Sequence, residues 1–261
     1  MKVDIRPQLD DNIPGLLYEA HEVGNVIKAT SGHPCSECNA QPELHKRNHF
    51  HMSSDFGGCG RKTFNIMTTG KRNGLSGFNF LNDGHIHEAA VLNNINRGLP
   101  EGYRVQIAEN GIEGRYNHPS GFYITAHVDA LLITPFGVEG LECKAVKQAM
   151  WKKIQDTGEI NDEWYGQVQG YMVVWELERW YLCVKHRESS KFMIPFRIDR
   201  DVPYIVSRMA KLEDIYKRIM IGDRQPERDH TSSKDYECLW CPFGNEVGDG
   251  SCWREDIKFQ L

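Results

Sequence analysis

Asp129, Glu142 and Lys144 are the residues whose types and spacing could do chemistry. They lie in the stretch GFYITAHVDALLITPFGVEGLECKAVKQ, from Gly121 to Gln148. FYITAHVDALLI alternates with β-branched and aromatic residues as a strand does, and VEGLECKAV reads as a second strand after a turn at Pro135–Gly137. Strand side chains alternate faces, so Glu142 and Lys144 share one face and Cys143 takes the other. Asp129 is expected on the first strand with Ala126, Val128 and Ala130 on the opposite face. Antiparallel pairing across the turn then brings an Asp, a Glu and a Lys to one end of a sheet. Two carboxylates beside one lysine are costly to half-bury, because like charges repel and burial disfavours ionisation. A divalent cation offsets that cost. Hard oxygen ligands suit magnesium or manganese, and the lysine can orient or help deprotonate an attacking water.

The 261 residues are enough for one large domain or two small ones. An apolar fraction of 40% and a charged fraction of 26% fit a soluble globular chain. No apolar run approaches the roughly 20 residues that span a bilayer, and the start, MKVDIRPQLDDN, lacks the apolar core of a secretory signal. A cytoplasmic protein with no membrane partner is therefore expected. Its eight cysteines are expected as metal ligands or buried thiols rather than disulfides. The net charge of −5 argues against a broadly basic nucleic-acid coat, while leaving room for a local basic groove that meets phosphates.

The elements that must position the three residues follow from the surrounding pattern. A helix is expected over 11–28, then a loop-rich stretch in which Cys35-x2-Cys38 has the spacing of a zinc knuckle, with His45, His49 and His51 within reach. A helix is expected to begin after the Gly57–Gly60 turn, and LNDGHIHEAAVLNNINRG reads as another, with Asp83 near its start and Gly98 ending it. Residues 103–117 read as a strand hairpin-linked to the one carrying Asp129. KQAMWKKIQDTGEIND reads as a connection or short helix, and EWYGQVQGYMVVWELE as a helix with Gln167 and Tyr171 one turn apart on one face. Strands at Arg179–Lys185 and Lys191–Ile198 and a helix over Val202–Ile221 complete an α/β fold with a mixed sheet. In the tail, Cys238-x2-Cys241 followed by Cys252 is a strong metal signal in a cytosolic chain. A division into a helical and loop extension over 1–52 and a core over 53–261 is expected.

Taken in order, these features resemble the PD-(D/E)xK nuclease superfamily, in its RecB-type branch that includes the CRISPR-adaptation nucleases and phage-encoded relatives. Asp129 matches the branch's metal-binding aspartate, Glu142-x-Lys144 its Glu-x-Lys, and Gln167-x3-Tyr171 its Q-x3-Y helix motif. The Gly84–His87 segment resembles its first motif, a histidine shortly after a glycine. Cys59 with Cys238, Cys241 and Cys252 resembles its four-cysteine iron–sulfur arrangement, which clamps the two chain ends together. The sequence departs from the pattern at Ala126, where relatives have glycine. The spacing of the first motif is shortened, so His85 competes with His87; His87 is preferred because Glu88 follows it as in relatives. The wide gap from Cys241 to Cys252 leaves room for zinc instead of iron, and Cys35 or Cys38 could replace Cys59.

The resemblance implies a restriction-endonuclease-like core, with a central mixed sheet flanked by helices, that hydrolyses phosphodiester bonds of DNA. Asp129, Glu142, the backbone carbonyl of Cys143 and His87 would hold one or two magnesium or manganese ions, Lys144 would place the water, and Gln167 and Tyr171 would face the site from the helix. Arg61, Lys62, Lys147, Lys152 and Lys153 are candidates for phosphate contacts, and Trp151 or Trp164 for base stacking. The substrate implied is single-stranded or end-exposed DNA cut by an exonuclease. Spacer processing and a non-catalytic nucleic-acid-binding relative are the alternatives.

Overall fold

The computed structural model describes residues 49–70, 75–189, 191–230, 232, 234, 238, 241–244 and 251–253. The helix expected over 11–28, the Cys35/Cys38 pair, His45 and the side chain of His85 lie outside them.

Six strands form one mixed sheet: β1 (Phe50–His51), β2 (Arg104–Asn117), β3 (Tyr123–Thr134), β4 (Gly137–Val146), β5 (Arg179–His186) and β6 (Phe196–Asp199). Their order is β1-β3-β4-β5-β6, with β2 paired to β3. β3 pairs antiparallel with β2 and β4, β4 pairs parallel with β5, and β5 pairs antiparallel with β6. The parallel step from β4 to β5 needs a crossover, which two helices supply: α3 (Gln148–Thr157) and α4 (Asp162–Val174). The other helices are α1 (Gly60–Thr69), α2 (Leu75–Gly98) and α5 (Val202–Ile221), and a π-helical turn, Met52–Phe56, precedes α1.

Local chemistry sets the helix ends. The Asn161 side chain accepts from the Glu163 backbone N–H to open α4, and the Asp201 carboxylate accepts from that of Tyr204 to open α5. Gly158 and Gly222 close α3 and α5 in the left-handed conformation that glycine tolerates best. α2 starts at Leu75, eight residues before Asp83, so Asp83 is interior and not an N-terminal signal. The final strand is shorter than expected: over 191–195 the pairing is one isolated bridge, Phe192 opposite Lys185, closed by the His186 N–H to the Lys191 carbonyl and the Met193 N–H to the Val184 carbonyl.

The sheet is buried on both faces. On one face, Val91, Leu92 and Ile95 of α2 pack on Leu141, Cys143, Tyr181 and Cys183. On the other, Val168, Tyr171 and Met172 of α4, with Ile205, Leu212 and Ile215 of α5, cover Trp180, Leu182 and Val184. α4 comes very close to the π-helical turn: a Cβ on Gly57 or Gly166 would overlap the backbone of the other segment. Phe50 and Met52 are wholly buried in this second cluster.

Candidate active site

The site sits where β3 changes partners. β4 runs alongside β3 from Thr134↔Gly137 to Ala130↔Leu141 and then leaves it. β1 takes the same edge of β3 at Ile124 and Thr125. Asp129 lies in the gap between these two partners. Across the strand, the β2 register slips between Ile107, opposite Ala130, and Ile112, opposite Val128, so Asp129 also faces a bulge. Bulges re-aim side chains, and the packing records it. Ile124, Ala126 and Val128 belong to the α4-side cluster together with Leu131, whereas Ala130 and Leu132 belong to the α2-side cluster. Strict alternation, which puts Ala126, Val128 and Ala130 on one face, fails at Asp129.

The re-aimed Asp129 reaches across the gap to β4, where its Oδ2 accepts from the Cys143 backbone N–H at 2.8 Å. A residue's N–H and C=O point to the same side of a strand, so the Cys143 carbonyl is directed to the same gap. The Cys143 side chain packs on the α2 side, as alternation requires. Glu142 and Lys144 take the opposite face. Glu142 is buried, and its Oε1 accepts from Lys144 Nζ at 2.5 Å and from Gln167 Nε2 at 2.9 Å. Gln167 Nε2 also donates to the Tyr171 hydroxyl at 2.6 Å, so the two residues one turn apart on α4 act as one brace on the carboxylate. The remaining oxygen, Glu142 Oε2, is buried with no hydrogen-bond partner among the described residues.

The electrostatics follow from burial. Asp129 is held well above the usual carboxylate range by burial first, then by Glu142 and Glu88, against the pull of Lys144 and the Cys143 N–H. Burial also raises Glu142, opposed by Lys144 and Gln167. Burial works against the Lys144 ammonium, but Glu142, Asp129 and Glu88 overcome it and hold the group protonated beyond its ordinary range. Burial, then Glu142 and Asp129, push the Tyr171 phenol up. Acids that resist ionising around one lysine, plus an orphaned carboxylate oxygen, make a donor set that a hard divalent cation fits. Among the described residues, no group of three or more His, Cys, Asp or Glu side chains has closed into a metal-holding arrangement.

Glu88 is the participant that the sequence pattern did not nominate, although its position directly after His87 was visible. Its charge acts on Asp129, Glu142 and Lys144. His87 has its Nδ1 3.4 Å from Lys185 Nζ. Lys185 is in register with Ala145, on the Cys143 face of the sheet and not the Glu142 face.

The tail cysteines lie near the start of α1. Cys59 is the residue before α1, and Cys59, Cys238, Cys241 and Cys252 are all buried. Burial pushes the Cys252 thiol up to about 12, helped by the neighbouring Cys59, Cys241 and Cys238. Burial likewise pushes Cys59 up to about 11. Thiolates are the ligands that a thiophilic metal takes, but among the described residues no three of these cysteines form a metal-holding arrangement. Arg61 does not offer itself to phosphate: its Nε donates to the Pro226 carbonyl at 2.7 Å and its Nη1 to that of Cys252 at 2.9 Å. Lys62 is partly buried on α1, and Lys147 and Lys153 are exposed. Lys152 is exposed and pairs with Asp156 at 2.9 Å. Trp151 is buried in the core and presents no open ring, whereas Trp164 is partly buried against that core cluster.

No family model and no curated protein matches the chain. Among solved structures it is similar to a protein crystallised as SSO0001, over 88% of this chain and 92% of that one, with 14% identity and a TM-score of 0.48. It is also similar to an alkaline exonuclease, LHK-Exo, from Laribacter hongkongensis, over 67% of this chain and 90% of that one, with 12% identity and a TM-score of 0.41. A phage related exonuclease from Haemophilus somnus 129PT aligns over 62% of this chain and 81% of its own, with 17% identity and a TM-score of 0.35. Among the described residues, no helix is long and apolar enough to cross a membrane.

Proposed function

We propose that this chain is a divalent-metal-dependent deoxyribonuclease of exonuclease type, acting on single-stranded or end-exposed DNA in recombination or DNA processing. The observation that carries the reading is Glu142 Oε2, a buried carboxylate oxygen with no partner among the described residues, beside Asp129 and the Lys144 ammonium. Asp129, Glu142 and the Cys143 carbonyl would hold magnesium or manganese, with Glu88 as the nearby third carboxylate. His87 is the further candidate from the sequence. When bound, the ion would polarise the scissile phosphate and lower the pKa of water.

The chain's own residues supply the rest. Gln167 and Tyr171 fix one oxygen of Glu142 so that the other faces the gap. Lys144, kept as an ammonium, places the attacking water and offsets charge that builds on the phosphate oxygens. Asp129 holds the β4 backbone at Cys143 and so fixes the width of the gap. Cys59, Cys238, Cys241 and Cys252 would hold a [4Fe–4S] cluster, or zinc, as a staple distant in sequence from the chemistry.

The test is incubation of purified protein with end-labelled single- and double-stranded DNA in manganese, magnesium or chelator. Cleavage is expected with either ion and not with chelator, and Glu142→Gln and Lys144→Ala should abolish it while remaining folded. Cleavage at the wild-type rate by either variant would overturn the assignment.

A further inference from the structure

Two basic groups beside the carboxylate cluster face one another from α2 and β5. His87 of α2 has its Nδ1 3.4 Å from Lys185 Nζ. An ammonium has three N–H donors and no lone pair. For Lys185 they meet His87 Nδ1, the His186 carbonyl at 3.4 Å and the Ser189 carbonyl at 3.3 Å. All three partners are neutral, and all three contacts are longer than an ordinary bond of about 2.7–3.2 Å. Among the described residues no carboxylate acts on this half-buried ammonium, and burial is the one influence on it. Lys144, one strand away, is held by Glu142, Asp129 and Glu88. A cation taken partly out of water without a counter-charge is costly, and an anion brought to it offsets that cost.

The contact also fixes what His87 can do. Because the ammonium only donates, Nδ1 is the accepting nitrogen and the proton of the neutral ring sits on Nε2. A metal-ligating histidine has the opposite arrangement: one nitrogen gives its lone pair to the ion, and the other donates its N–H to a carboxylate, carbonyl or water. His87 therefore does not fit the ligand role that its sequence position suggests. It fits as an N–H donor to an anionic oxygen. Its neighbour locates the pair. Glu88 follows His87 on α2, and its charge acts on Asp129, Glu142 and Lys144. Adjacent helix residues point about 100° apart with a rise of about 1.5 Å, so one turn of α2 serves both the carboxylate cluster and Lys185. On the sheet, Lys185 is in register with Ala145, the residue after Lys144.

We propose that His87 and Lys185 hold a phosphate of the DNA strand next to the scissile one, with His87 as an N–H donor and not a metal ligand. The inference rests on the nuclease reading of the carboxylate site. A phosphodiester brings one negative charge and two non-bridging oxygens, enough for the Lys185 ammonium and the His87 Nε2–H together. Exchange of one long carbonyl contact of Lys185 for a phosphate oxygen turns a neutral bond into a charge-assisted one. Such a contact positions the strand and carries no sequence information.

The experiment reads DNA affinity and manganese affinity separately on the full chain. Anisotropy of a fluorescent single-stranded oligonucleotide is followed in chelator over a series of potassium chloride concentrations. Lys185→Met should weaken binding about tenfold, the worth of one charge-assisted bond. It should also lower the steepness of log affinity against log salt by about 0.7, one phosphate of a single strand. Lys185→Arg should keep both, because it keeps the charge. His87→Ala should weaken DNA binding in the same assay yet bind manganese, followed by electron paramagnetic resonance, within about twofold of wild type. Asp129→Asn should lose manganese. Unchanged DNA affinity and salt dependence in Lys185→Met would overturn the phosphate site, and Lys185→Gln carries the same measurement if Lys185→Met is insoluble. Manganese loss in His87→Ala as large as in Asp129→Asn would overturn the donor assignment and return His87 to the metal. A wild type that binds no DNA even at low salt would remove the nuclease reading, and this site with it. Wild-type binding with unaffected Lys185 and His87 variants would remove this site alone.

Discussion

Replacing Asp129 by asparagine should stabilise the protein in ion-free buffer and destroy its response to manganese. Asparagine keeps an oxygen for the Cys143 N–H, removes the charge and turns the other oxygen into an NH2 donor. An uncompensated buried charge costs about 3–5 kcal/mol, and a hydrogen bond to a charged group returns about 1.5–3 kcal/mol. The wild-type carboxylate has that one bond at 2.8 Å, and Lys144 offsets only part of burial and of the opposing field of Glu142 and Glu88. Asp129→Asn should therefore gain roughly 1–2 kcal/mol, or about 2–6 °C in melting temperature for a chain of this size. The sign reverses with the ion. At a manganese concentration of about a hundred times Kd, the wild type gains about 2.7 kcal/mol, whereas the variant, lacking a ligand, gains almost nothing. The pH dependence follows from the raised folded pKa values of Asp129 and Glu142. Their contribution to stability is full below the unfolded value of about 4 and is lost as pH rises through the folded values. In ion-free buffer the variant's advantage should shrink as pH is lowered from about 7 toward 4. Scanning calorimetry with and without manganese reads all of this. A variant that melts lower than wild type in ion-free buffer, or gains as much from manganese, would refute the reasoning.

Tyr171→Phe removes the hydroxyl that braces Gln167 and should slow single-turnover cleavage about tenfold, the worth of one hydrogen bond, whereas Tyr181→Phe, on the α2 face, should stay within about twofold. Equal effects would mean that the Gln167–Tyr171 pair does not serve the site. Arg61→Ala should destabilise the fold by roughly 2–4 kcal/mol for the lost carbonyl bonds, seen as a lower melting temperature, while leaving DNA affinity of the folded fraction unchanged in a filter-binding titration; a selective loss of affinity would restore Arg61 as a phosphate contact. Anaerobically purified protein should be brown, with thiolate-to-iron absorption near roughly 400 nm, and Cys238→Ala should lose the colour while Cys143→Ala keeps it, because Cys143 packs on Cys183 and not with the tail thiols. Colourless protein with zinc and no iron would rule out the cluster but leave the staple.

Periodicity carried most of the fold, and its failures are instructive. The final helix spans Val202–Ile221 as its amphipathic pattern, opening Asp201 and closing Gly222 require. Glu142 and Lys144 share a face because nothing interrupts β4 between them, so a two-residue rule suffices. The same rule misplaces Ala130 relative to Val128, because the bulge between β2 and β3 depends on residues 107–112, far from Asp129 in sequence. Glu88 was hidden for a similar reason: neighbours on a helix point about 100° apart, and which of His87 and Glu88 meets the carboxylates is set by how α2 crosses the sheet. Arg61 and Lys62 look alike as letters. Only the tail folding back over α1 commits Arg61 to two carbonyls.

That fold-back sets the tail against the start of α1, away from the strand positions of Asp129 and Glu142 in the sequence. Cys59 precedes α1, and the π-helical turn before it packs against α4, the helix that carries Gln167. The tail grips this same start of α1 three times without any metal: Arg61 to Cys252, Arg61 to Pro226, and the Gly60 N–H to Asp229, which also pairs with Lys211 of α5 at 2.9 Å. Each of these bonds closes a loop of more than 150 residues, so the unfolded chain loses much conformational freedom when they form together. A metal shared by Cys59 and the tail thiols would tighten a clamp that hydrogen bonds already define. The clamp's natural load is the position of α1 and, through Gly57 against Gly166, of α4. Loosening it should therefore reach Glu142 by way of Gln167, as a widened site in a still-folded sheet rather than as a direct loss of chemistry.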